Sequence, residues 1–382
     1  MLFSENDFYF VGFIFLLASV FVLLVSSERG NVLHVSWLIS FVVFSLVPFF
    51  VFFVFFDEFD YRIILISVFF SFLFLFLTKG FLVERRVGKI PYHGALVFVF
   101  PLIGLLLLFV FPDGSLGYIL FSSIYLIFIH ASTFLSPRDH FIRVMVPFFV
   151  YFVVFYSFFW GGFGRLILAA NLLIPLLVFL YSYGIRFNVL YIYAASAFFS
   201  VAMNLLRFKD GGDFLTNFVN DSTVGPYAMS VDFMDKVDSF EVNFSGYFDQ
   251  FLLMFFAFVP RFLWESKPIG FGRYYVEQDL NVYDYGEGHS IAALFIGESV
   301  YYLGWLWWLG LFISVISFYF LLKLLGRLNS KYFVLPVVVG LYIPTFYWGG
   351  YASFGSRFTL SMLLVFGLLG ALYLGRKLSK IY

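Results

Sequence analysis

The stretch VLHVSWLISFVVFSLVPFFVFFVFF, residues 32–56, runs without an Asp, Glu, Lys or Arg, and the acidic turn Asp57-Glu58-Phe59-Asp60 follows it at once. An α-helix needs about 20 apolar residues to cross roughly 30 Å of hydrocarbon, because lipid offers no partner to an unpaired backbone amide. The stretch therefore reads as one membrane crossing. Working outward, similar apolar runs lie at 8–25, 63–78, 95–111, 116–135, 144–160, 166–183, 189–206, 300–325, 334–348 and 358–374. The expected fold class is an all-α integral membrane protein of about eleven transmembrane helices. Residues 1–206 form an eight-helix region and residues 300–382 a three-helix region. Residues 207–299 form a large extracytoplasmic loop carrying short helices.

Basic residues orient this path, since cytoplasmic loops retain Lys and Arg. One set of alternate loops holds Arg29, Lys79, Arg85, Arg86, Lys89, Arg138, Arg143, Arg186, Lys323, Arg327, Lys331, Arg376, Lys377 and Lys380. Only Glu28, Glu84 and Asp139 join them, so nearly all of the 23 acidic residues fall on the other face. That places the N-terminus outside and the C-terminus in the cytoplasm. The first apolar run lacks a positive n-region and a small-residue cleavage site, so it is expected to be a retained span.

Composition agrees with this and excludes several functions. Only 12% of the 382 residues are charged and 62% are hydrophobic, against roughly a quarter charged in a soluble domain. The 62 Phe and 26 Tyr read as compositional bias and carry no functional information. Net charge is zero and no basic run is dense enough to track nucleic acid. Without Cys there is no disulfide, thiolate nucleophile or Cys-ligated metal. No His and carboxylate cluster has metal-ligand spacing, so no metal and no cofactor are implied. The sequence shows no internal repeat, no Gly-rich phosphate loop and no pair of interrupted apolar segments of the kind transporters use.

The long loop carries the candidate chemistry. Tyr247 to Val259 is apolar, too short to span and ended by Pro260, which predicts an interfacial or re-entrant helix. Arg261, Lys267 and Arg273 follow it, and Arg207, Arg165 and Arg357 stand at predicted outer helix ends. Each could simply snorkel to lipid phosphates. As a set, guanidinium groups converging on a membrane-surface cleft suit a lipid diphosphate, which Arg binds in bidentate fashion. Glu298 stands where the ninth span begins and is the candidate base, with His289, the one His of five on the outer side, as the other. A carboxylate there could equally be favoured only by a helix macrodipole. His34, His93, His130 and His140 are expected to be structural.

The string Pro260-Arg261-Phe262-Leu263-Trp264, continued by Lys267-Pro268, is followed by Gly297-Glu298-Ser299, Tyr301 and Gly304. These residues resemble the Wzy-type polymerases of O-antigen and capsular repeat units over residues 247–310, and the rest of the chain resembles them in plan. Val300-Tyr301-Tyr302-Leu303 departs from the Tyr and Asn that many such polymerases carry before the Gly. The resemblance implies a GT-C-type glycosyltransferase at the outer face of a bacterial cytoplasmic membrane. Its substrates would be undecaprenyl-diphosphate-linked oligosaccharides, its surroundings membrane lipids, and its partner a chain-length regulator protein. Catalytic roles would fall to Glu298, His289 and Arg261, and diphosphate binding to Arg261, Arg273, Lys267, Arg207, Arg165 and Arg357. An O-antigen ligase would share this architecture, and a flippase of lipid-linked glycans is the non-enzymatic alternative.

Overall fold

The computed structural model describes residues 31–55, 60–79, 224–280, 291–328 and 334–378, with positions 146, 150 and 198 besides. Among the described residues all regular structure is helical, and two helical stretches, Leu33–Phe53 and Leu294–Leu325, are long and apolar enough to cross a membrane. The spans expected at 8–25, 95–111, 116–135 and 166–183 lie outside the described residues, as does almost all of those at 144–160 and 189–206.

The first described helix opens at Asn31, whose side chain accepts the Leu33 N–H, and runs as α1 (Val32–Phe41), a π-helical turn (Val42–Leu46) and α2 (Val47–Phe55). The turn widens just before Pro48. Proline has no N–H to give the Phe44 carbonyl, and the wider turn relieves the clash of its ring. Helix α3 (Arg62–Thr78) returns alongside. His34 Nε2 meets Thr78 Oγ1 at 3.0 Å, Trp37 Nε1 donates to Ser71 Oγ at 2.9 Å, and Ser45 Oγ meets Ser67 Oγ at 3.0 Å, so α1 and α3 are antiparallel. His34 is fully buried and bonded, in keeping with a structural role.

Five further helices lead to the C-terminal helix: α4 (Gly225–Asp235), α5 (Phe244–Phe256), α6 (Phe271–Tyr274), α7 (Leu294–Leu303) and α8 (Trp307–Leu328). The ninth span, expected to enter at residue 300, therefore arrives differently. A helix starts at Leu294, breaks at Gly304, and resumes as α8. Gly304 has φ +49°, and a Cβ there would stand 2.4 Å from the Phe240 carbonyl oxygen, so only glycine fits. The interfacial helix expected over residues 247–259 begins and ends three residues earlier.

Helix α9 (Val334–Leu378) is a hairpin. Gly349 and Gly350 leave helical geometry, and Gly350 takes φ +70°. Tyr342 OH and Ser361 Oγ lie 2.7 Å apart, whereas 19 residues of straight helix would separate them by about 28 Å. The limbs 334–348 and 351–378 thus pack antiparallel. The reversal separates the two expected apolar runs, and the second limb begins seven residues before the expected 358.

The limb 334–348 runs parallel to α1, pairing Ser36 with Gly340 and Ser45 with Tyr347. The Ser36 hydroxyl donates to the Gly340 carbonyl, the acceptor that Pro344 cannot serve. Helix α8 runs parallel to α3, through Phe70 with Phe312 and Phe74 with Phe318, and parallel to the limb 351–378, through Phe318 with Phe354. Trp37 stacks on Phe74 with centroids 4.0 Å apart at the centre of the buried cluster, and Phe295 and Tyr347 meet it edge-on.

Candidate functional site

Glu298 lies in the middle of α7 and is 1% exposed. The positive helix end that it faces belongs to another helix. Its Oε2 accepts the Tyr351 N–H at 3.0 Å, the first amide of the second α9 limb after the glycine reversal. A carboxylate is favoured at such an N-terminus by the unsatisfied amides and the dipole. Oε1 has no hydrogen-bond partner among the described residues, an arrangement that costs free energy in a buried setting. Gly350 closes over the carboxyl group: a Cβ there would stand 1.9 Å from Oε2.

A knot of hydroxyls surrounds the same point. Tyr247 OH donates to the Gly310 carbonyl at 2.6 Å and lies 3.2 Å from Tyr351 OH, which in turn lies 2.8 Å from Ser314 Oγ. Four elements, α5, α7, α8 and α9, therefore converge beside Glu298. Close backbone approach makes this possible, since a Cβ at Gly355 would stand 2.0 Å from the Leu253 carbonyl oxygen.

The Pro-bracketed string folds as a cap on α5. Lys267 Nζ donates to the Ala257 and Val259 carbonyls at 2.6 and 2.9 Å, satisfying acceptors at the end of that helix. Burial and the nearby Arg261 guanidinium push the Lys267 ammonium down from its ordinary pKa. Lys267 is thereby engaged in structure, with two of its three donors on backbone carbonyls. Arg261 is exposed, and its Nη1 donates to the Lys267 carbonyl at 2.9 Å. Arg273 is also exposed but pairs with Glu277, one turn along, which neutralises much of its attraction for phosphate.

Arg357 is not at a helix end. It stands within the second α9 limb, where Nη1 donates to the Ser353 carbonyl at 2.9 Å, so the side chain reaches back toward the glycine reversal. No acidic side chain among the described residues bonds it. His289, Arg165 and Arg207 lie outside the described residues. The expected site residues are thus dispersed: Glu298 is buried beneath the reversal, Arg261 is at the surface, and no hydrogen bond joins them.

The two motif strings nevertheless share one scaffold. Gln250 of α5 donates from Nε2 to Tyr302 OH at 3.2 Å and to the Ile269 carbonyl at 2.9 Å, and its Oε1 accepts the Phe271 N–H at 2.9 Å. The Asn243 N–H donates to the Tyr302 carbonyl at 2.7 Å. Gln250, Tyr247, Gly350 and Tyr351 are the residues that sequence reasoning missed. The Gly349-Gly350 pair inside an apolar run was the available signal, because adjacent glycines mark a turn. Among the described residues no group of His, Asp and Glu could hold a metal. Comparison with known proteins finds no matching family model, no similar curated protein and no similar solved structure.

Proposed function

We propose that this chain is a multi-pass membrane glycosyltransferase of the GT-C type, with eleven spans, an extracytoplasmic N-terminus and a cytoplasmic C-terminus. It polymerises undecaprenyl-diphosphate-linked oligosaccharide repeat units at the outer face of a bacterial cytoplasmic membrane. The observation that supports this best is the shared scaffold of the two motif strings, which carries a carboxyl oxygen without a partner and an exposed arginine without an acid.

In the reaction, a hydroxyl of the incoming unit attacks the anomeric carbon of the growing chain. The bond from that carbon to the diphosphate breaks, and undecaprenyl diphosphate leaves with the electron pair. Arg261 is the cation for the leaving group, with Arg357 as the second described guanidinium free of an acid. The hydroxyl proton passes to Glu298 Oε1, since Oε2 is held by Tyr351. Access to this oxygen requires the Gly349-Gly350 reversal to lift, because the carboxyl group is closed from solvent.

The test is the product left by a deletion in a strain with a surface-polysaccharide pathway. Polymerase loss leaves one repeat unit per acceptor. Long chains retained on undecaprenyl diphosphate would identify a ligase, and single units trapped on the cytoplasmic leaflet a flippase. Either result overturns the polymerase reading.

A further inference from the structure

Helix α5 descends beside α8 and the second α9 limb. It starts at the outer end of α7, where the Asn243 N–H donates to the Tyr302 carbonyl. One turn further, Tyr247 OH reaches the Gly310 carbonyl and Tyr351 OH. Beyond that, a Cβ at Gly355 would stand 2.0 Å from the Leu253 carbonyl oxygen and 2.8 Å from Met254 Cα. Phe354, next to Gly355, packs on Phe318 with ring centroids 5.0 Å apart. The last turn of α5 is therefore level with Phe318. From Trp307 to Phe318 helix α8 descends about 16 Å, so on the topology proposed above α5 ends about halfway through roughly 30 Å of hydrocarbon.

The chain then turns and comes back on the side where it entered. Two bonds of 3.0 Å close the turn, from the Leu263 N–H to the Pro260 carbonyl and from the Lys267 N–H to the Trp264 carbonyl. Gln250 latches the returning leg to α5 through the Ile269 carbonyl and the Phe271 N–H, and to α7 through Tyr302 OH. A Cβ at Gly270 would stand 3.0 Å from Ala352 Cβ, and the Phe271 ring lies 6.0 Å from that of Tyr302, again at the outer end of α7.

The turn carries Arg261, Glu265, Ser266 and Lys267, and the first three are exposed. Arg357, two residues past Gly355 on the limb that α5 touches, adds a part-buried guanidinium near the same level. Non-helical backbone and charged side chains persist at such depth only against protein or water, and the exposed groups of the turn have no protein over them. From this geometry we infer that residues 244–271 form a re-entrant hairpin whose tip, residues 257–268, stands in a water-filled, anion-accepting cleft that opens at the outer face and reaches the middle of the membrane. The outward opening follows from the returning leg, whose non-helical backbone needs water or protein from the tip up to Phe271. Three cations against one carboxylate, between walls of low dielectric, give the cleft its preference for anions. The inference rests on the proposed membrane topology and not on the glycosyl-transfer chemistry.

The full chain has no cysteine, so single sites can be labelled without background. Phe262→Cys and Ser266→Cys probe the tip, with the exposed Asp238→Cys as an outer-surface control and Ile316→Cys on the exposed apolar side of α8 as a lipid control. Spheroplasts are treated from outside with two impermeant methanethiosulfonates, the ethylsulfonate and the ethyltrimethylammonium, and separately with a bulky polyethylene-glycol maleimide. Both tip sites are expected to react with the small reagents and to resist the bulky one, whereas 238 takes all three. Relative to 238, the tip should favour the sulfonate several-fold, and Arg261→Gln should shrink that preference. Tip sites that ignore the small reagents, or that react only in inverted vesicles, overturn the outward cleft. Ready reaction with the bulky maleimide overturns its depth, and equal rates for the two charged reagents overturn its preference for anions. Reaction at 316 as fast as at 238 sinks the topology itself, which separates that failure from failure of the cleft.

Discussion

The carboxyl group of Glu298 in α7 holds the first amide of the second α9 limb, with Oε2 3.0 Å from the Tyr351 nitrogen. Directly above it, Gly350 has no room for a side chain. The contact joins a residue singled out for chemistry to a reversal not foreseen as part of the site, and it gives Glu298 two separable roles. One is to receive a proton on Oε1, and the other is to fasten the hairpin through Oε2.

Substitution at Glu298 separates these roles. Glu298→Gln keeps an oxygen for the Tyr351 amide, so the protein should insert and melt near the wild-type temperature while yielding only single repeat units. Glu298→Ala should lose polymer and also about 1–3 kcal/mol of stability, since the amide is left unsatisfied. Polymer of normal length from Glu298→Gln, read on a gel ladder, would leave only the fastening role.

Gly350→Ala should destabilise the chain by at least about 1–2 kcal/mol from its left-handed backbone alone, and by more because the new methyl meets Glu298. The two substitutions should not add. In Gly350→Ala with Glu298→Ala the clash is gone, so thermal unfolding of the double variant should show a smaller loss than the sum of the singles.

Ser36 and Pro344 make a second coupled pair through the Gly340 carbonyl. Ser36→Ala removes the donor to a buried acceptor and should cost about 1–3 kcal/mol. Pro344→Ala restores a helical N–H for that same carbonyl, so adding it to Ser36→Ala should recover part of the loss. If the two act independently in detergent melting curves, the hydroxyl does not serve the role assigned to it.

The arginines should differ in importance. Arg261→Ala should lower polymer formation about 10- to 150-fold if one charge-assisted contact of about 1.5–3 kcal/mol is lost in the transition state. Lysine at this position should rescue only partly, because it lacks the bidentate fork. Arg273 already has Glu277, so Arg273→Ala should cost less polymer than Arg261→Ala. Equal losses in a chain-length assay would mean that the ion pair opens on substrate binding.

Orientation is tested by labelling intact spheroplasts with an impermeant maleimide. Cysteine in place of the exposed Asp238 should react before lysis, and cysteine in place of Ser330 only after it. The reverse pattern would invert the chain and bring Arg261 and Glu298 to the cytoplasmic side.

The sequence by itself determined what depends on solvent and on local pattern. Apolar runs near 32–56, 63–78 and 334–348 read as helices from their length and composition, and the Tyr247 stretch had to stop by Pro260. What only the tertiary structure decided was where the polar groups meet. Glu298 was read against the dipole of its own helix, yet it faces a helix more than 50 residues further along the chain, through the Tyr351 amide. Lys267 looked like a free cation but satisfies carbonyls of the turn that ends α5. Gly304 and Gly350 are ordinary letters in apolar runs until the Phe240 carbonyl and the Glu298 carboxyl group approach them. Local sequence records which backbone groups a segment leaves unpaired, while the identity of the side chain that pairs them depends on long-range packing.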